Sequence, residues 1–493
     1  MRTSISHPLQ IAAVSAGANY GLVGLTFCPG KKQPSAVTGA WDRDLGLDLD
    51  AVAAWNAAAV VTLLEPHELT HLGVDGLGAA VRARHIAWYH LPIRDVDVPD
   101  AEFERAWGQV GPGLRARLRD GANVLVHCKG GLGRAGMIAA RLLIELGMAP
   151  DEAIAQVRVV RPGAIETARQ LARVRSWGPI SEAAPDGGPE AVRDRAVGAL
   201  LGLALGDALG TARDRLRQGG ALPSSAMIAE RAQSPGVGPW SGATAMALAL
   251  ATSLIERKGF DESDLLERLT WWADEGEFSC TGTCVGMPNA VARALTRFRN
   301  TGGLFADPAQ PPDIGGAALV RLAPVAIRYW QSAGPGGPLR EVAGRQSRTT
   351  DADPASLAAA ALFAELLGQA IAGTPRAPLL RSGTTTAECV SSALATGAWR
   401  PWNRGELVCD GSSAALIEAA LWCIARSGSF AEALQLAADL DETGATPVLT
   451  GQLAGALYGK AAIPPEWLDD LAWEELLESV ALELTIPWGW FPE

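Results

Sequence analysis

A run of strand-forming residues, Asn123-Val124-Leu125-Val126-His127, meets a glycine-rich turn and then Arg134 to Leu146, whose apolar spacing is helical. A strand that feeds a tight turn into a helix commits the surrounding chain to an α/β layer, because a mainly parallel sheet flanked by helices buries both elements. The turn reads Cys128-Lys129-Gly130-Gly131-Leu132-Gly133, and Arg134 opens the helix. Such a turn aims successive backbone N–H groups and the positive end of the helix dipole at one point, where an oxyanion can sit. Gly130, Gly131 and Gly133 permit that cradle, since a Cβ would hinder positive φ or crowd a ligand. Lys129 adds a cation at the rim, and Leu132 completes the anion-binding stretch. Cys128 opens the cradle, where the dipole and Arg134 favour its thiolate. Arg134 can close the loop as a planar fork on two oxygens of the bound anion. His127 is expected to order the loop through hydrogen bonds rather than to touch a substrate.

Other short β-branched runs, Ala58 to Leu64 and His85 to Leu91, alternate with helical patterns. Residues 1–178 are therefore expected to form an α/β domain with a central, mainly parallel sheet flanked by helices. A Pro/Gly/acidic stretch over 179–192 reads as a linker. From 193 to 493 the apolar spacing turns helical, as in Ala196 to Ala208, Thr244 to Ile255, Leu357 to Ile371, Ala414 to Ala425 and Phe430 to Leu440, which predicts an all-α domain. The seams Leu200 to Leu209 and Leu453 to Leu457 read as core packing. A net charge of -12 argues against a nucleic-acid partner, which would need a basic face. No apolar stretch free of charge or Gly/Pro punctuation is long enough to predict a membrane span. Seven scattered cysteines and a short polar start imply a reduced, cytoplasmic setting. All six histidines fall within the first 127 residues, which excludes a histidine-based metal site in the C-terminal part.

If Cys128 attacks a phosphomonoester, an acid must protonate the leaving oxygen and a base must later activate water. The segment Leu91-Pro92-Ile93-Arg94-Asp95-Val96-Asp97-Val98-Pro99-Asp100 follows a predicted strand and offers three aspartates, ranked Asp95, Asp97, Asp100. At these residues the chain, from about Gly21 to Arg175, resembles the dual-specificity phosphatases, most closely the kinase-associated phosphatase type. The resemblance rests on Gly24-Leu25-Thr26-Phe27-Cys28-Pro29-Gly30-Lys31-Lys32, Pro92-Ile93-Arg94-Asp95, Gly130 to Arg134 and Arg161-Pro162-Gly163-Ala164-Ile165-Glu166-Thr167. It implies a phosphocysteine intermediate, with Cys128 as nucleophile, Arg134 as phosphate clamp and Asp95 as acid. The residue after the loop arginine, usually Ser or Thr in that family, is Ala135, which should slow breakdown of the intermediate. A phosphorylated protein or a small phosphorylated molecule would be the substrate, with no cofactor.

From Asp194 to about Trp473 the chain resembles the ADP-ribosylglycohydrolases, through Gly198 to Gly210, Thr244 to Ala249, Leu322-Ala323-Pro324-Val325 and Thr450 to Gly459. That family holds two magnesium ions with clustered carboxylates. Here its Thr-Asp-Asp-Thr is Ser241-Gly242-Ala243-Thr244, its C-terminal Asp-x-Asp motif is Glu442-Thr443-Gly444-Ala445, and a third acidic loop position is Cys284-Val285-Gly286-Met287-Pro288. Asp207, Asp441 and Glu442 remain. Too few carboxylates are left to strip magnesium of its water. The resemblance thus implies a degenerate, metal-free domain that binds a partner or an ADP-ribose-like ligand. The alternatives are a non-catalytic phosphate and ADP-ribose binder, or a bifunctional phosphatase and ADP-ribosyl hydrolase.

Overall fold

Strand β7, Asn123–Cys128, is the middle strand of a five-stranded sheet. The computed structural model describes residues 1–36, 39–218, 239–308, 314, 316–334, 336–381, 390–440 and 444–487. Around β7 the chain runs β1 (Ala12–Ser15), β2 (Leu22–Phe27), β3 (Lys32–Gln33), β4 (Trp41–Asp42), α1 (Leu45–Ala54), β5 (Ala57–Thr62), α2 (Pro66–His71), α3 (Leu77–Arg82), β6 (Ala87–His90) and α4 (Ala101–Arg119). After β7 come α5 (Gly133–Glu145), α6 (Pro150–Val160) and α7 (Ala168–Arg175). Sheet order is β1-β2-β7-β5-β6; β1 is antiparallel to β2, and the remaining pairs are parallel. β3 and β4 form a separate two-stranded ribbon.

The pleat sorts the core. Val124 and Val126 join Ala59, Val61 and Leu63 in a cluster covered by α4 to α7, whereas Leu125 and Val60 join residues of α1 to α3 on the other face. Burial on both faces explains why β5 and β7 are continuous apolar runs rather than alternating ones. β1 and β2 carry no such run, since Ser15, Gly24 and Thr26 interrupt it, and periodicity alone does not find them. They become strands because β2 pairs with β7 in parallel, setting Phe27 opposite Cys128.

The chain divides into two compact units: Met1–Ala183 with Arg400–Asn403 and Ala425–Gly428, and Ala184–Trp399 with Arg404–Ile424 and Ser429–Glu493. Among its described residues the second unit contains helices and no strand. It includes α8 (Pro189–Gln218), α9 (Gly242–Arg257), α10 (Pro354–Ala372), α11 (Ser413–Arg426) up to Ile424, α12 (Phe430–Leu440) and α13 (Ala445–Tyr458), and these helices contain the five predicted helical stretches. α10 is long and apolar enough to cross a membrane by length and composition, but it is mostly buried within this unit, and its Glu365 pairs with Arg340 at 3.4 Å.

α8 and α13 meet backbone to backbone. A Cβ added at Gly202 would lie 2.1 Å from the Gly451 carbonyl oxygen, and one at Gly451 would lie 2.0 Å from that of Gly202. The leucines of both segments fill the surrounding core, but glycine sets how closely the helices approach.

Candidate active site

Cys128 ends β7 at the carboxyl edge of the sheet, where α/β proteins place their ligands, and it is buried. The amide of Gly131 donates to its Sγ at 3.2 Å. The loop carbonyls turn the other way: Arg161 donates from Nε to the Gly131 oxygen and from Nη2 to the Gly130 oxygen, each at 3.0 Å. With those oxygens drawn outward, the loop amides are free to face an anion. Lys31 supports the opposite side. Its ammonium lies 4.3 Å from the Trp41 ring centre and 4.9 Å from that of Phe27, and donates to the Lys129 carbonyl at 3.3 Å. Burial pulls its pKa down to about 8.

The three loop glycines are not equivalent. Gly131 has φ +70°, and a Cβ there would lie 2.5 Å from the Thr26 carbonyl carbon and oxygen. A Cβ at Gly133 would lie 2.3 Å from Glu166 Oε2. Gly130 has no positive φ, and a Cβ there would meet nothing within 4 Å, so the protein itself does not require a glycine at this position.

His127 is fully buried, and its Nε2 lies 2.8 Å from Thr62 Oγ1, which also accepts from Trp88 Nε1 at 2.8 Å. Thr62 Oγ1, on β5, thus ties the His127 ring and the Trp88 indole together. Burial, followed by the nearby Arg134 charge, drops the His127 pKa to about 3, so the ring is neutral. It anchors the base of the loop to β5.

Arg134 is also buried. Glu68 of α2 grips it with two contacts, Nη1 to Oε2 at 2.5 Å and Nη2 to Oε1 at 2.9 Å. Burial favours protonation of Glu68, but its bonds to Arg134 and to the Glu65 amide outweigh this and hold the carboxyl below its ordinary range. Nη1 also donates to the Ile93 carbonyl at 2.9 Å.

The three aspartates have distinct places. Asp95 pairs with Arg134 Nη2 at 2.9 Å, and its side chain is 59% exposed. Asp97 pairs with Arg169 at 2.6 Å, and its carbonyl accepts from Gln170 Nε2 at 3.2 Å. Asp100 is the N-cap of α4, accepting from the Glu102 and Phe103 amides. Cys128, Arg134 and the Asp95 loop thus converge; Asp97 and Asp100 are taken up by other partners. Sequence reasoning missed Glu68 and the clamping role of Arg161. Only the capping pair Glu65 and Glu68 around Pro66 was visible, and it signals a helix start rather than a site.

In the second unit Asp207 is buried and saturated. Its carboxylate accepts from the Ser241 amide (3.0 Å) and hydroxyl (2.5 Å) and from the Thr244 amide (2.9 Å) and hydroxyl (2.8 Å). Burial raises its pKa against those four donors. It therefore caps the start of α9 from a distance, with Gly242 and Ala243 beside it. Asp441, Glu442 and Thr443 lie outside the described residues. Among the described residues, no group of three or more His, Cys, Asp or Glu side chains is placed to hold a metal.

Residues 188–490 match the ADP-ribosylglycohydrolase family, and residues 33–177 match the Swiss Army Knife protein DSP-PTPase phosphatase domain. ADP-ribosylarginine hydrolase Tri1 of Pseudomonas putida (strain GB-1) is 33% identical over 305 residues, 60% of this chain and 79% of its own length. Cyclin-dependent kinase inhibitor 3 of Rattus norvegicus is 31% identical over 165 residues, 33% of this chain and 73% of its own length. A solved ADP-ribosylglycohydrolase-related protein complex aligns with a TM-score of 0.45 at 33% identity, covering 60% of this chain and 98% of that one. Relatives of this similarity that are named as hydrolases do not support reading the C-terminal unit as degenerate. The chain belongs to the ADP-ribosylglycohydrolase family and carries, ahead of that unit, a phosphatase domain of the DSP-PTPase family.

Proposed function

We propose that the N-terminal unit hydrolyses a phosphomonoester, with Cys128 as nucleophile, Arg134 as clamp and Asp95 as acid and then base. The thiolate attacks phosphorus, the ester P–O bond breaks, and Asp95 delivers its proton to the leaving oxygen. Water then attacks the phosphocysteine, Asp95 takes a water proton, and the thiolate and inorganic phosphate separate. The observation that carries this reading is the convergence on one loop of the Cys128 sulfur under the Gly131 amide and the Arg134–Asp95 pair at 2.9 Å. Full-length protein should hydrolyse an aryl phosphate, and Cys128→Ser should abolish turnover. Wild-type turnover in Cys128→Ser would remove the proposal.

A second reading concerns the helical unit. Its similarity to ADP-ribosylarginine hydrolases favours action on an ADP-ribosyl group, which would make the chain bifunctional. The pinned Asp207 favours recognition of ADP-ribose without metal-dependent turnover. Calorimetry with ADP-ribose and an assay for ADP-ribose released from an arginine-modified protein, each with and without chelator, separate the two. Binding without release supports recognition, and release supports hydrolysis. Neither binding nor release would exclude both.

A further inference from the structure

Arg134 has five N–H donors, and the structure commits them unevenly. One hydrogen on each Nη goes end-on to Glu68, and the second on Nη1 goes to the Ile93 carbonyl. Nη2 also ion-pairs with Asp95 Oδ1 at 2.9 Å without a hydrogen bond to it, and neither its second hydrogen nor Nε has an acceptor among the described residues. The Nη1 side is thus closed by buried partners. The Nε–Nη2 edge, the side-on fork that suits two oxygens of a phosphoryl group, carries no hydrogen bond, and the exposed Asp95 carboxylate sits beside its Nη2 as an ion pair.

We propose that Glu68 is a positioning residue that fixes Arg134 with this edge reserved for substrate, and that an arriving phosphoryl group takes the edge by displacing Asp95. The inference rests on the phosphatase reading of Cys128 and adds a coupling to it. Substrate binding would itself free the acid, since an Asp95 tied to Arg134 cannot swing to the leaving oxygen.

Two observations favour exchange at Asp95 and permanence at Glu68. The Glu68 and Arg134 side chains are 8% and 2% exposed, so separating them would strand a buried charge, whereas Asp95 lies largely in water. Val96 sits at φ +54°, a conformation that a β-branched residue adopts only under constraint. Its amide donates to Asp95 Oδ1 at 3.1 Å, so the same carboxylate oxygen contacts both Arg134 and the unusual turn. On the far side the segment is tied down through Asp97, to Arg169 and Gln170. Release therefore needs to move only Asp95 and Val96.

The test is tungstate binding by calorimetry to full-length protein in a Cys128→Ser background, beside aryl phosphate turnover with Cys128 intact. Adding Asp95→Asn should tighten tungstate about two- to fivefold, the scale of an exposed ion pair removed from competition. Asp97→Asn, which deletes the same charge two residues away, should leave affinity unchanged. Adding Glu68→Gln should weaken tungstate roughly tenfold, although it deletes a negative charge near the anion. If that variant does not fold, Glu68→Asp, which keeps the charge but shortens its reach, should also weaken binding. Unchanged or weaker binding in Asp95→Asn, or equal tightening in Asp97→Asn, overturns the displacement. Unchanged or tighter binding in the Glu68 variants overturns the positioning role. Absence of turnover in the protein with Cys128 intact would instead defeat the phosphatase reading itself.

Discussion

Gly131→Ala is the sharpest structural perturbation of the site. Two costs add at this position. An alanine held at φ +70° loses about 1–2 kcal/mol for a left-handed conformation. Its Cβ would also press to 2.5 Å against the Thr26 carbonyl and 2.6 Å against the Phe27 amide nitrogen, backbone atoms that cannot rotate away. Overpacking of that kind costs about 1–3 kcal/mol. The sum is about 2–5 kcal/mol, or a drop of about 5–15 °C in the melting transition of the N-terminal unit. Because Phe27 is paired with Cys128, the strain falls on the nucleophile, and aryl phosphate turnover should collapse as well. Gly130→Ala is the matched control: it meets nothing within 4 Å and should shift the transition by less than about 2 °C. Differential scanning calorimetry of both variants checks this. A Gly131→Ala protein that melts with the wild type, or a Gly130→Ala protein destabilised as much, would show that the Thr26 backbone does not confine position 131.

Other outcomes follow from single sites. Ala135→Ser should raise kcat about fivefold if breakdown of the phosphocysteine limits turnover, the worth of one hydrogen bond of about 1 kcal/mol in the transition state. The pre-steady-state burst of released phenol should shrink in parallel, and an unchanged burst would count against this step. His127 titrates near 3 when folded against 6.5 ordinarily, so the unfolded chain binds the extra proton between those values. Its contribution to stability is therefore complete above pH 6.5 and declines as pH falls towards 3, by at most about 1.4 kcal/mol per pH unit. Urea midpoints of the N-terminal unit at pH 7 and pH 5 should differ more in wild type than in His127→Gln, and equal differences would contradict the buried neutral ring. Gly202→Ala should destabilise the helical unit by about 3 kcal/mol, since its Cβ would lie 2.1 Å from the Gly451 oxygen. Gly344→Ala, inside helix Pro338–Arg348 with nothing within 4 Å, should instead stabilise it by up to about 1 kcal/mol. Chemical denaturation separates the two signs.

What could be read in one dimension was whatever is carried by neighbours along the chain. The loop from Cys128 to Arg134 is contiguous, so its residue types disclose an anion cradle without any knowledge of the sheet. Likewise β5, β7 and the long helices announce themselves through runs and periods in which every residue meets the same environment. Asp95 could be ranked ahead of Asp97 and Asp100, but the sequence offered no reason for their different partners. Arg169 and Gln170 at Asp97, and the start of α4 at Asp100, are properties of the packed structure.

Tertiary structure alone decided which groups hold the site in place. Glu68 lies 66 residues from Arg134, and Arg161 lies about 30 from the carbonyls it clamps, distances over which no periodicity carries information. β2 is a strand because β7 offers it a ladder, despite its own mixed pattern. The spacing of α8 announced a helix and an apolar seam, but that its glycines are the contact itself shows only where α13 lies against them. Local patterns report what a residue prefers; only the folded chain determines which partner satisfies it, because burial and hydrogen bonding depend on atoms brought from elsewhere.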